Sequence, residues 1–504
     1  MPAADSLSRQ GTRRGPSLPA LTPTIVAIGC GVLLGVTLLV VAQWPTRWLV
    51  YMLSGVVAGV LTLAGHIRRQ LIVYFIIATS LNVHYYLTQP EPMLFLGISA
   101  PRWFSIPLIL LPAAGLLGSI LVDTVSHRMR IRLRSPVTTW ALCFLAASTL
   151  STLLSPERRY GLYALVEMAQ FFLIYVVALN IVQDDHDFRL VLRCLLATLA
   201  IQCAIFIIQT VTGAAFTMTG EITRAMDGGE GLVRASGTVG TTPSGYAIFT
   251  EPLLFTSLAL WRSTDLDMPR RRIGMLTALA SATLILTLNR TSWITIILGS
   301  CIVEILCRRR GIARRLSQRT LMALGGVGFL GMLVIIPLIL PRLEGAHEDD
   351  WNIRRNLMRI AIRMIAGNPI VGVGPGAYIY HLRQYAPGDV LSQWLWVVHN
   401  EYLLVWAERG IIGLIAWLAW MRAGFRQAIA ATKTGTPEFR ALGIGCAAAL
   451  IGLCWEYTLN MYPPFCCYAL WWCLFGILVA GNRIYTAAPA SMGAELAPAG
   501  ASAS

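Results

Sequence analysis

The sequence predicts an all-α fold, a polytopic membrane bundle of about fourteen helices with one large loop on its non-cytoplasmic side. Three observations carry this. The 504 residues are 56% hydrophobic and only 13% charged, about half the charge of an ordinary soluble domain. Apolar runs of about 20 residues, long enough to cross a bilayer as helices, recur along the chain. Between them the charge is sorted, with Arg concentrated in short loops. Helices rather than strands follow, because backbone groups in lipid must satisfy one another within the segment.

Residues 1–24, rich in Ser, Pro, Gly and Arg, read as a disordered cytoplasmic tail. Arg13-Arg14 precedes an apolar run as in an export signal, but that run is long and others follow, so the first helix is expected to be retained. Apolar spans then run near 25–43, 49–65, 71–87, 104–122, 137–154, 162–182 and 188–211. After a polar loop, 212–244, come spans near 245–261, 273–289 and 291–307, and Asn289-Arg290-Thr291 marks a tight turn between the last two. A span at 321–340 completes the first eleven helices, over 25–340. The large loop takes 341–399, and 400–482 holds three more spans, near 400–421, 441–459 and 465–481. Residues 483–504, rich in Ala, Pro, Ser and Gly, read as a second disordered tail.

With the N-terminus in the cytoplasm, the basic loops fall on one side. They are Arg68-Arg69, Arg128/Arg130/Arg132/Arg134, Arg270-Arg271-Arg272, Arg308-Arg309-Arg310 and Arg422/Arg426/Lys433. The loop 212–244, the turn at Arg290 and the loop 341–399 then emerge together on the other side. The net charge of +15 is this sorting rather than a nucleic-acid surface, and its anionic partners are membrane lipid headgroups and phosphorylated substrates. The eleven Cys show no CxxC pair and no zinc-like spacing with His, so they read as packing residues and no metal is expected.

The longest polar interruption, Arg342 to Gly413, is where chemistry is expected. It holds a charge cluster that includes Arg354 and Arg355, a glycine-rich turn (Gly372, Gly374, Pro375, Gly376), and the aromatics Tyr378, Tyr380, Tyr385, Trp394 and Trp396. His399-Asn400 ends it, directly before an apolar helix. A His at this boundary serves as a general base or a hydrogen-bond donor near neutral pH; the alternative is a helix-capping or bundle-bonded His. Arg290, between two apolar helices, reads as a phosphate clamp or as an interfacial anchor. Arg234 sits in Val233-Arg234-Ala235-Ser236-Gly237-Thr238, whose small residues leave amides free to approach an anion unless the loop is merely mobile. The Gly372–Gly376 stretch lacks the Lys-Ser/Thr of a P-loop and reads as a turn. Glu401 and Glu408 share a helix face after His399, and structural pairing, for instance with Arg409, is the simpler reading. Glu167, Glu251, Glu304 and Glu456 lie in or at the ends of apolar runs, where acids are functional suspects.

His399-Asn400 followed by Gly410 and Gly413 resembles the bacterial O-antigen ligase and polymerase family, in which a His-Asn pair precedes GxxG at this spacing. Asn368-Pro369-Ile370-Val371-Gly372-Val373-Gly374-Pro375-Gly376-Ala377-Tyr378 resembles that family's large periplasmic loop, a helical insertion. Arg234 and Arg290 resemble the two family arginines outside it. The similarity covers roughly residues 200–425. It implies a metal-independent, cofactor-free glycosyltransferase of the bacterial inner membrane, with its active site facing the periplasm. The donor is then a glycan on undecaprenyl pyrophosphate and the acceptor a hydroxyl of a lipid or another glycan. His399 is implied as catalytic, Arg234 and Arg290 as pyrophosphate-binding, and Asn400, Gly410 and Gly413 as supporting. The chemistry agrees: a lipid pyrophosphate brings its own bond energy, guanidiniums stabilise its departure, and an imidazole accepts the hydroxyl proton. The aromatics Trp394, Trp396, Tyr378 and Tyr385 offer stacking surfaces for sugars. From another class, a secondary transporter or lipid-glycan flippase is the alternative, but its polar residues belong near mid-bilayer rather than on one face.

Overall fold

The computed structural model of the protein describes residues 67–86, 104–127, 129–213, 226–227, 233–240, 242–264, 266–314, 348–386, 397–461 and 463–494. The spans expected near 25–43, 49–65 and 321–340, the 1–24 tail, Trp394 and Trp396 lie outside these residues. The described chain is all-helical apart from two short antiparallel pairs, β1 (His84–Tyr86) with β2 (Ser105–Pro107) and β3 (Met226–Asp227) with β4 (Val233–Arg234). The helices are α1 (Ile67–Ala78), α2 (Leu110–Val125), α3 (Pro136–Leu154), α4 (Arg158–Ile181), α5 (Asp185–Thr212), α6 (Pro243–Arg262) and α7 (Arg270–Leu286). They continue with α8 (Arg290–Arg309), α9 (Glu348–Gly367), α10 (Tyr378–Tyr385), α11 (Glu401–Ala431), α12 (Pro437–Glu456) and α13 (Phe465–Ala494).

Among the described residues seven helices are long and apolar enough to cross a membrane: α3, α4, α5, α8, α11, α12 and the Phe465–Thr486 part of α13. Several boundaries differ from the hydropathy reading, among them α11, which runs to Ala431 rather than 421. The span read at 71–87 ends as a helix at Ala78, where the Thr79 and Ser80 hydroxyls bond back to the carbonyls of Ile76 and Ile77, and β1 follows. The span read at 104–122 begins as β2 and becomes helical at Leu110. The last helix runs to Ala494, beyond the boundary at 482.

Hydrogen bonds and ion pairs sort the helix ends into two groups. At one end Arg68 pairs with Asp187 at the start of α5, and Asn180 near the end of α4 bonds the backbone of Arg132. Arg262 at the end of α6 pairs with Glu304 near the end of α8, and Glu304 also holds Arg308. The basic clusters gather here, and Glu304 is spent on them. At the other end lie β4, the α7–α8 turn, the start of α11 and the end of α12. α12 runs among α6, α8 and α11. Its small residues Gly443, Gly445, Ala447, Ala448 and Gly452 permit that, since close helix approach in membranes depends on small side chains. A Cβ on Gly445 would meet the Thr256 backbone at 2.4 Å.

Candidate active site at the end opposite the basic clusters

The loop after α8 forms a small folded layer on this end. Met364, Tyr378, Ile379 and Leu382 bury one another against Val397, Val398, Leu404 and Ala407. Tyr378 is fully buried and its hydroxyl donates to the Leu357 carbonyl, so it is core and not the sugar-stacking surface expected from the sequence. Tyr385 accepts a hydrogen bond from Asn368 at 3.0 Å. Tyr380 instead stacks on Tyr160 at the start of α4, ring centroids 3.6 Å apart.

The glycine-rich turn joins this layer to α11. Gly410 leaves the helical region with φ 65° and ψ −175°, which breaks α11 after two turns. The turn supplies backbone partners at the break: Val373 N–H donates to the Ala407 carbonyl, Gly374 N–H to Glu408 and Ile411 N–H to Pro369, each at 2.9 Å. The two backbones are in contact. A Cβ on Gly410 would lie 2.0 Å from the Ile370 oxygen, and one on Gly372, where φ is 74°, 2.3 Å from that of Glu408. Gly413 leaves room for the Arg409 side chain, which a Cβ there would meet at 2.4 Å. Arg409 is buried and pairs with Glu408 at 2.8 Å, lining an inner cavity with Glu167, Glu401, Trp417 and Trp420. The GxxG motif is therefore a structural joint. Ser151 and Ser155 of the α3 end brace it by donating to the Glu408 and Val373 carbonyls, which no sequence signal had indicated.

His399 is held between this layer and α12. Asn400 caps α11, its Oδ1 accepting from Leu403 N–H at 2.9 Å while its amide donates to the Thr458 carbonyl at 3.1 Å. Glu401 N–H donates to the Tyr457 carbonyl at 2.8 Å. His399 Nδ1 is buried and has no hydrogen-bond partner among the described residues. Burial, reinforced by the Arg354 guanidinium of α9, pushes the imidazole down to about 4, with the Val397 carbonyl opposing in part. The ring is thus neutral at pH 7 with one nitrogen open to accept a proton. Arg354 is the neighbour that sequence reasoning left among the undifferentiated charges.

Arg234 reaches the α7–α8 turn, at whose end Arg290 stands. Arg234 Nε donates to the Thr287 carbonyl at 3.2 Å, three residues before Arg290. Leu288 there takes φ 54°, a strained setting for a branched side chain and typical of backbone fixed for a purpose. Arg290 opens α8 with its side chain exposed. The amides around Arg234 are not free for an anion, contrary to expectation. Gln209 Oε1 accepts from Ser236 and Gly237 N–H, and Gln202 Oε1 from Thr238 N–H. Two guanidiniums and a neutral imidazole therefore stand at one end of the bundle, on elements joined through the end of α12.

An NMR titration of the His399 ring should give a midpoint near 4 rather than 6.5. Arg354→Ala should move that midpoint upward by removing a like charge. A midpoint that ignores Arg354→Ala would contradict the placing of that guanidinium beside the ring.

Residues 275–418 match the family model described as O-antigen ligase. No curated protein matches the chain.

Proposed function

We propose that the chain, whose residues 275–418 match the family model described as O-antigen ligase, transfers a glycan from undecaprenyl pyrophosphate to an acceptor hydroxyl on the periplasmic face of the inner membrane. The carrying observation is the placement of Arg234, Arg290 and the unpartnered Nδ1 of His399 at the end away from the basic clusters. Positive-inside sorting turns the basic end to the cytoplasm, which gives the site its outward orientation. In this reading the acceptor oxygen attacks the anomeric carbon of the donor, and the bond from that carbon to the pyrophosphate oxygen breaks. Undecaprenyl pyrophosphate leaves against Arg234 and Arg290, whose charge-assisted bonds strengthen as negative charge develops. His399 takes the hydroxyl proton as the new bond forms. The guanidiniums supply the charge compensation, so the reaction as drawn calls on no metal or nucleotide.

A deletion strain examined for its glycans tests the reading. Single lipid-linked units with no polymer assign a polymerase, and unattached lipid-linked polymer assigns a ligase. An unchanged glycan profile with altered solute uptake would instead favour a transporter. Complementation with Arg290→Ala should reduce product about 10²–10³-fold, the usual loss for one oxyanion-type donor. Arg290→Lys should recover only part of it, since an ammonium cannot make the planar two-point contact. Wild-type product from Arg290→Ala would remove this residue from the site.

A further inference from the structure

The C-terminus of α12 holds both the Arg290 turn and the His399 turn. Glu456, the last residue of α12 and fully buried, accepts from Ser292 Oγ at 2.9 Å. Ser292 Oγ in turn accepts from Asn289 Nδ2 at 2.9 Å. Asn289 also caps α8 through Thr291 N–H at 3.2 Å, so the residues on either side of Arg290 are fixed. The next two residues of the same terminus give their carbonyls to Glu401 N–H and to the Asn400 side chain, the residues that follow His399. Inside the bundle Glu456 faces a second buried carboxyl, Glu251 of α6. Packing alone gives no reason to bury carboxyl groups side by side, since hydrocarbon of the same volume is usually as stable or more so. What the Glu456 carboxyl supplies is a fixed acceptor for Ser292.

We propose that Glu456 is a positioning residue that, through Ser292 and Asn289, sets the spacing between the Arg290 guanidinium and the His399 imidazole. The inference rests on the roles given to those two groups above. A reacting group misplaced by about 1 Å can lose about 10²-fold in rate. Glu456→Ala should therefore lower kcat about 10–100-fold while leaving the apparent KM for donor nearly unchanged. Ser292→Ala should lose a similar factor, and the double variant should lose no more than the worse single, because both act through one chain of bonds. Glu456→Gln keeps an oxygen that accepts from Ser292 and should recover most of the rate.

The assay mixes purified full-length protein with membranes of the deletion strain, which hold the accumulated donor. It follows release of undecaprenyl pyrophosphate by mass spectrometry. Losses that multiply in the double variant, equal losses in Glu456→Ala and Glu456→Gln, or full kcat in Ser292→Ala overturn the proposal. Ser292→Ala removes a single oxygen, so it decides the matter even if Glu456→Ala does not fold. His399→Ala run alongside separates the two levels. An inactive His399→Ala with a fully active Glu456→Ala removes only the positioning role, whereas an active His399→Ala removes the reading on which it rests.

Discussion

His399→Ala is expected to lower the transfer rate by about 10²–10⁴-fold, the usual contribution of a positioned general base. The loss should fall on kcat with little change in donor KM, because in the proposed reaction the imidazole acts on the hydroxyl proton in the transition state and not on the bound pyrophosphate. The fold should survive, since the cap of α11 and the bonds to α12 come from Asn400 and Glu401 and not from the ring. A slow variant with an unchanged thermal transition therefore reports chemistry. His399→Gln, which keeps a hydrogen-bonding side chain but no useful base, should be nearly as slow. Wild-type rates in either variant would take the proton transfer away from this residue.

Gly410→Ala is expected to have the largest effect on stability. The residue sits at φ 65° and ψ −175°, a region that costs a non-glycine residue about 1–3 kcal/mol. Its new methyl would also stand 2.0 Å from the Ile370 oxygen, and relieving such an overlap costs about 1–3 kcal/mol more. The glycine-rich turn should then separate from the broken helix. The layer formed by α9 and α10 should become protease-sensitive and its thermal transition should fall. Activity should drop with it, because that layer carries Arg354 and covers His399. Gly372→Ala should do the same from the other side of the contact. An unchanged transition in Gly410→Ala would show that the two backbones do not meet there.

The membrane bundle was legible because lipid leaves few options: apolar length, Arg placement and backbone satisfaction all point to helices. Counting crossings and motif resemblance led the sequence reading to expect Arg234, Arg290 and His399 on one face. Less legible were features made by contacts between distant segments. Gln202 and Gln209 lie in an apolar helix with no motif to mark them, yet they take up amides beside Arg234. Tyr378 looked like a sugar platform because composition does not say which face of a short helix is covered. The GxxG motif gave no sign that Gly410 is set by the approach of a turn some forty residues upstream and Gly413 by the Arg409 side chain. Glu456 was one of four suspect acids, and only geometry separates it from Glu304, which the basic end consumes. The breaks after Ala78 and before Leu110 escaped hydropathy, which averages over a window wider than either polar junction.

In the proposed reaction transfer occurs outward, from a lipid pyrophosphate, at a site made of these two guanidiniums and this imidazole. The most direct measurement uses proteoliposomes that hold the purified full-length protein in one orientation. They are supplied with lipid-linked glycan and acceptor isolated from the deletion strain. Undecaprenyl pyrophosphate and the new glycosidic product are then quantified together. The account predicts that the two appear in equal amounts when acceptor meets the face bearing His399, and that both vanish in Arg290→Ala and His399→Ala. Product formed only with acceptor at the basic face, or product undiminished in those variants, would contradict it.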